Sequence, residues 1–266
     1  MPSTERDADL LRWYLAMGAD EAIGATPNDR LTRPAPAPAA PAPLAMAAPP
    51  KPAPNPRPAP SPKPTPAGAR AAAEAAPSLA ALAEAVAAFE GCALKRTATN
   101  TVFADGVPGA PLMIIGEAPG ADEDRLGRPF VGRSGQLLDR MLAAIGRDRR
   151  RDTYISNVLF WRPPGNRKPT GDEIASCLPF VWRHIALARP RILMLCGGTA
   201  TAALLGRSDG ITRLRGRWFP LAVPGLDQPV ATIATYHPSF LLRAPARKGE
   251  AWNDLLAVQC KLEDGE

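Results

Sequence analysis

The chain has 266 residues, 45% of them hydrophobic, with a formal net charge of +6. That length allows one or two domains with a packed core, but 32 prolines are too many for one compact domain, so part of the chain must be something else. No stretch approaches the roughly 18 apolar residues of a membrane span, and the basic balance favours a polyanionic partner through phosphate contacts and counterion release.

Residues 1–24 read as a short amphipathic helix, with Leu10, Leu11, Tyr14, Leu15, Ala22 and Ile23 at helical spacing and Gly24 and Pro27 as its stop. Two uses are open to it: packing on the main domain, or docking a partner protein. Charges from the first residues onward exclude a signal peptide. Residues 25–78 form a disordered Pro/Ala-rich linker. Fifteen prolines fall within 34–66, and proline lacks the N–H that helices and sheets need. The segment is expected to be an extended, polyproline-like tether. Its six basic residues between Arg30 and Ala73 also admit a weak DNA-tracking role.

Residues 79–266 are the expected folded domain. A helix over 79–90 precedes the apolar run PLMII (111–115). A helix over 134–146 follows, with Ser134 as N-cap and Gly146 as C-cap. TYISNV (153–158) is the second strand. The helix over 170–188 is capped by Thr170 with Glu173 in the capping-box place. RILMLC (191–196) is a third strand, 199–206 a short helix, VATIATY (230–236) a fourth strand and 250–263 the last helix.

Four apolar strands alternating with helices predict a parallel sheet covered on both faces. Ligands of such sheets sit beyond the carboxyl ends of the strands. That rim carries Gly116-Glu117-Ala118-Pro119-Gly120, Asn157, Gly197-Gly198 and His237-Pro238-Ser239. Asn157 offers a donor and an acceptor on one plane, to a ligand or to the strand-end backbone. Of the two histidines, His184 lies inside a helix and reads as structural. Gly132, Ser134 and Gly135 lead into a helix N-terminus, which suits a phosphate or simple capping. Arg162, Asn166, Arg167 and Lys168 form a basic loop stiffened by prolines and read as a nucleic-acid backbone contact. Arg213, Arg215 and Arg217 extend that basic character. Four cysteines without a close C-x-x-C pair read as reduced thiols of a cytoplasmic, not secreted, protein.

GEAPGADEDRLGRPFVGRSGQLLDRML (116–142), NVLFWRPPGNRKPT (157–170), LRGRWF (214–219) and HPSFLLR (237–243) stand in this order. Together they resemble the family 4 uracil-DNA glycosylases over about residues 86–260. The resemblance implies an α/β fold, a three-layer α/β/α sandwich around a four-stranded parallel sheet. It implies an enzyme that flips uracil out of DNA and hydrolyses its N-glycosidic bond, leaving an abasic site. Phe130 is then the ring on which uracil stacks, where the residue alone would read as core. Asn157 accepts from uracil N3–H and donates to O4, and His237 faces O2. Glu117 positions or activates water, or stabilises a sugar cation; Asp122, Glu123 or Asp124 could share that task. Ala118, Pro119 and Gly120 shape the water pocket. Gly132, Ser134, Arg162, Asn166, Arg167, Arg215 and Ser239 face the DNA backbone. One of Phe240, Leu241 and Leu242 either wedges into the duplex or belongs to a buried cluster.

The same family usually carries a [4Fe–4S] cluster on four cysteines. Here only Cys92 and Cys177 match those positions, while Phe89 and Trp161 stand in the other two. A cluster needs four thiolates, so no cofactor and no metal are expected. A covalently trapping relative would carry a histidine in the basic stretch before the last strand, where this chain reads ITRLRGRWF. A DNA-binding module without catalysis and an unrelated phosphate-binding enzyme leave Glu117, Asn157, Phe130 and His237 together unexplained. The expected partners are uracil-containing DNA, no membrane, and a protein partner for the N-terminal segment; the chain is expected to be a monomer.

Overall fold

The computed structural model describes residues 66–264. The helix expected within residues 1–24 and most of the linker lie outside them. Six strands form one sheet: β1 (Asp105–Gly106), β2 (Leu112–Gly116), β3 (Thr153–Asn157), β4 (Ile192–Cys196), β5 (Trp218–Leu221) and β6 (Val230–Thr235). Their order is β1-β3-β2-β4-β6-β5. The four expected strands are β2, β3, β4 and β6, and they run parallel. The strand count is corrected from four to six, because β1 and β5 pair antiparallel at the two edges. β1 has only two residues, and β5 contains Pro220, which an edge strand tolerates. Neither has the long apolar run that marked the central strands.

The helices are α1 (Pro66–Ala75), α2 (Leu79–Ala88), α3 (Ala121–Leu126), α4 (Arg133–Ala144), α5 (Gly171–Ala188), α6 (Gly198–Leu205), α7 (Ile211–Leu214), α8 (Pro238–Arg243) and α9 (Lys248–Glu263). Successive strand residues face opposite ways. Met113, Ile115, Tyr154, Leu193 and Leu195 pack against α1, α2, α5 and α6. Leu112, Ile114, Ile155, Ile192 and Met194 pack against α4, α8 and α9. The expected three-layer α/β/α arrangement is the one observed.

Four boundaries differ from expectation. The linker expected over 25–78 stops before Pro66, because α1 occupies Pro66–Ala75. Proline is tolerated in the first helical turn, and the alanine-rich run after it has high helix propensity. Ala69 and Ala73 of α1, with Ala76 just past its end, are buried, and Arg183 of α5 donates to Ala76 O from Nε at 3.0 Å and from Nη2 at 2.8 Å. Ser134 is not an N-cap: α4 begins at Arg133 behind Gly132, and its C-cap is Ile145 rather than Gly146. α2 ends at Ala88, short of residue 90. The capping box of α5 forms as expected, Glu173 N–H donating to Thr170 Oγ1 and Thr170 N–H to Glu173 Oε2.

Candidate active site

The carboxyl ends of β2, β3, β4 and β6 open into one cavity of about 630 Å³. Register places Gly116 of β2 beside Asn157 of β3. A Cβ added at Gly116 would lie 2.5 Å from Asn157 Oδ1 and 2.5 Å from Phe130 Cζ. The strand therefore ends in glycine because a side-chain amide and an aromatic ring both close on its backbone. Asn157 is 2% exposed, and among the described residues its Oδ1 is the one buried side-chain polar atom without a hydrogen-bond partner. Leaving a buried acceptor unpaired costs about 1–3 kcal/mol, so such an atom points to a ligand.

Phe130 lines this cavity in a left-handed conformation, φ 52°. Its ring lies against His237, with centroids 5.4 Å apart and planes at 28°. Glu123 fixes the turn that carries it. Glu123 Oε1 accepts from the N–H groups of Val131 and Gly132, both at 2.8 Å, and Oε2 from Gly120 N–H at 3.1 Å. One carboxylate thus ties the Glu117–Gly120 loop to the Phe130 turn. Asp124 is buried and accepts from Thr99 and Asn100 N–H. Neither Glu123 nor Asp124 is free to share the role considered for Glu117, and Asp122 is exposed and paired with Arg125.

His237 caps α8. Its Nδ1 accepts from Ser239 N–H at 3.1 Å, and Ser239 Oγ lies 2.8 Å away. An accepting Nδ1 places the proton on Nε2. Burial, with Arg243 nearby, pushes the imidazole pKa down to about 4. The ring is therefore neutral at pH 7, and among the described residues no hydrogen bond engages its Nε2–H. Glu117 follows β2, and its Oε2 accepts from Thr199 Oγ1 in α6 at 2.5 Å. His184, on the opposite face of the sheet, is structural as expected. It is stacked on Phe103 at 4.3 Å and bonded to Tyr154 OH.

The cavity brings together Glu117, Ala118, Pro119, Gly120, Phe130, Gly132, Ser134, Asn157, Asn166, Arg167, His237 and Ser239. Three residues expected at the DNA face are elsewhere employed. Arg215 forms an ion pair with Asp254 and donates to Glu250 O, a network that also takes Thr235, so it is committed to the fold. Leu241 is 1% exposed within the core, which leaves it unable to wedge. Arg162 is set back from the cavity and donates to Asn166 Oδ1 at 2.7 Å. Arg167 lines the cavity yet is bidentate to Glu173.

Sequence reasoning missed Thr199, the clamp formed by Glu123, and Arg133 and Arg243, two exposed cations at the cavity. Cation content in the two neighbouring motifs was a usable signal for the arginines. Nothing local marks Thr199.

A family resembling this one would place an iron–sulfur cluster near Cys92 and Cys177. Those thiols are free and buried in one cluster. Around them stand Trp161, 1% exposed with Nε1 donating to Thr101 Oγ1, and Phe89, edge-on to Phe180 at 5.0 Å. Cys196 belongs to the opposite layer and Cys260 is exposed on α9. Two thiols in an aromatic setting do not fit a group that needs four thiolates.

The family model described as the uracil DNA glycosylase superfamily matches residues 103–256. The chain is 39% identical over 168 residues to a type-4 uracil-DNA glycosylase of Pyrobaculum aerophilum, covering 62% of this chain and 84% of that protein. A type-4 uracil-DNA glycosylase of Thermotoga maritima is 39% identical over 163 residues, covering 61% and 82%. A type-5 uracil-DNA glycosylase of Pyrobaculum aerophilum is 29% identical over 144 residues, covering 49% and 62%. The match spans the Phe130 turn, the end of β3 and the His237 cap in one run of chain, and on that ground the chain belongs to the uracil DNA glycosylase superfamily.

Proposed function

We propose that this enzyme draws uracil out of DNA into the cavity and hydrolyses its N-glycosidic bond, leaving free uracil and an abasic site. The unpaired Asn157 Oδ1 carries this reading. It is a buried acceptor at the edge of an aromatic face, as a base with an N3–H requires. The amide N–H of Asn157 then donates to O4. Cytosine reverses both partners and leaves buried polar groups unmatched, which discriminates strongly. Stacking on Phe130 adds about 1–3 kcal/mol for any base.

As the bond breaks, negative charge grows on the departing base. Neutral His237 donates from Nε2 toward O2, and this interaction strengthens as the charge develops. Glu117, held on one side by Thr199, presents its other oxygen to water or to the cationic sugar. Exposed Arg133 and Arg243, with Ser134 and Asn166, line the cavity, and they contact the DNA phosphates. Phe240 or Leu242, both partly exposed, takes the wedge role that Leu241 cannot. The enzyme works without an iron–sulfur cluster, Phe89 and Trp161 packing where two ligands would stand. It acts as a cytoplasmic monomer. No described helix is long and apolar enough to cross a membrane.

Incubation with uracil-containing and uracil-free oligonucleotides tests the activity. Free uracil and an alkali-labile site are the expected products; a denaturant-resistant adduct, or binding without release, overturns the hydrolytic reading. Iron and acid-labile sulfide are expected near zero per chain, and about four of each would refute the cluster-free reading.

A further inference from the structure

Phe130 holds a backbone conformation that side-chain-bearing residues rarely adopt, φ 52°. Something outside the residue must keep it there. On one side is Gly135 of α4, where an added Cβ would lie 1.8 Å from Phe130 O. On the other is Arg149, from the loop before β3. Its Nη2 donates to Phe130 O at 2.7 Å and its Nη1 to Pro129 O at 3.2 Å. The guanidinium is itself anchored, Nη1 to Asp105 of β1 at 3.0 Å and Nε to Asp139 of α4 at 2.6 Å. The side chain is only 12% exposed. A planar fork with several donors in fixed directions meets two successive carbonyls and two carboxylates at once, which an ammonium cannot do.

We propose that Arg149 is a positioning residue for the base-stacking ring, acting through the carbonyls of Pro129 and Phe130. It touches the back of the turn, and the substrate would lie on the front. Without it those carbonyls lose their partners, the backbone relaxes from the left-handed region, and the ring leaves the edge of Gly116. The inference rests on the reading of Phe130 as the uracil-stacking face.

The test compares wild type with Arg149→Gln, and with Arg149→Lys, which keeps a charge for Asp105 and Asp139 if the first variant fails to fold. Three quantities are read: single-turnover uracil release from a uracil-containing oligonucleotide, inhibition by free uracil, and binding of a uracil-free oligonucleotide. Each variant is also made in a Phe130→Ala background. The expected result is at least a tenfold slower release and at least tenfold weaker inhibition by free uracil, with DNA binding within twofold. In the Phe130→Ala background the same substitution should change release less than twofold, since the ring it positions is gone. Unchanged inhibition by free uracil, or equal losses in both backgrounds, would make Arg149 merely structural and overturn the inference while the activity stands. Failure of the wild type to release uracil overturns the functional reading and the inference with it.

Discussion

At Gly116 the chemistry of the site depends on the lack of one carbon. A methyl there would meet Asn157 Oδ1 and the Phe130 ring at 2.5 Å each. Gly116→Ala should therefore push the amide and the ring apart and reduce uracil release at least a hundredfold, while far-ultraviolet circular dichroism stays native; release within tenfold of wild type would show that the two groups do not act together. Asn157→Asp replaces the proposed donor to O4 with an acceptor, and a protonated carboxylic acid can instead match cytosine. The expected outcome is loss of uracil release or measurable cytosine release, read on paired oligonucleotides differing at one base. His237 gives a pH prediction with a definite sign. Its pKa is pushed down to about 4 by burial and Arg243, so the neutral ring persists from pH 8 to about 5. Below about 4 the ring gains a proton on Nδ1, which then opposes Ser239 N–H instead of accepting from it. The single-turnover rate should be insensitive to His237 titration between pH 6 and 8, and a rate step near the ordinary histidine value of 6.5 that His237→Gln removes would contradict the lowered pKa.

At the scale of elements, legibility followed the strength of local pattern. β2, β3, β4 and β6 were readable because strands covered on both faces are continuous apolar runs. β1 and β5 were not, because two residues and a proline-containing edge carry almost no periodicity. The rim was readable for the same reason as the strands: once their ends are known, Glu117, Asn157 and His237 fall at them. Phe130 could be placed only by resemblance, since an aromatic in a glycine-flanked turn carries no signal of its own orientation. Arg149 and Thr199 were invisible because their value is tertiary, made by carbonyls and carboxylates far away in sequence. α1 was masked by the prolines before it, although its alanine face packs on α5. A chain starting at residue 77 keeps the α2 cap Ser78 but uncovers that face, where a chain starting at residue 65 does not. The shorter chain should be less stable by about 2–4 kcal/mol, the scale of three buried alanines and the α5 surface beneath them. That corresponds to a melting temperature lower by several degrees at least. Equal melting temperatures would show that α1 adds nothing to the fold.

For the whole molecule, both histidines are held neutral by folding, one on each face of the sheet. His184 is fully buried, bonded to Tyr154 and stacked on Phe103, with its pKa pushed down to about 3 by desolvation. Its ordinary value is 6.5. Below pH 6.5 the unfolded chain takes up a proton that the folded chain refuses, so stability is full above 6.5 and falls as pH falls toward the folded value. The slope is about 1.4 kcal/mol per pH unit, or roughly 2 kcal/mol from His184 alone by pH 5. His237 adds in the same direction, by less because its cavity is open to water. Glu173, held low first by Arg167, and Glu250, held low first by Arg247, lose their stabilisation only below their ordinary value of 4.5. Between pH 6.5 and 5 the histidines set the downward slope, while Asp254, whose pKa burial raises, works in the opposite sense as it takes up its proton. Urea unfolding at pH 7 and pH 5 should show the drop, and His184→Gln, which keeps a polar partner for Tyr154 without a titratable ring, should remove about 2 kcal/mol of the difference while being less stable at pH 7. A pH dependence unaltered by that substitution would mean that His184 is protonated in the folded chain, and that the apolar layer around it admits a charge.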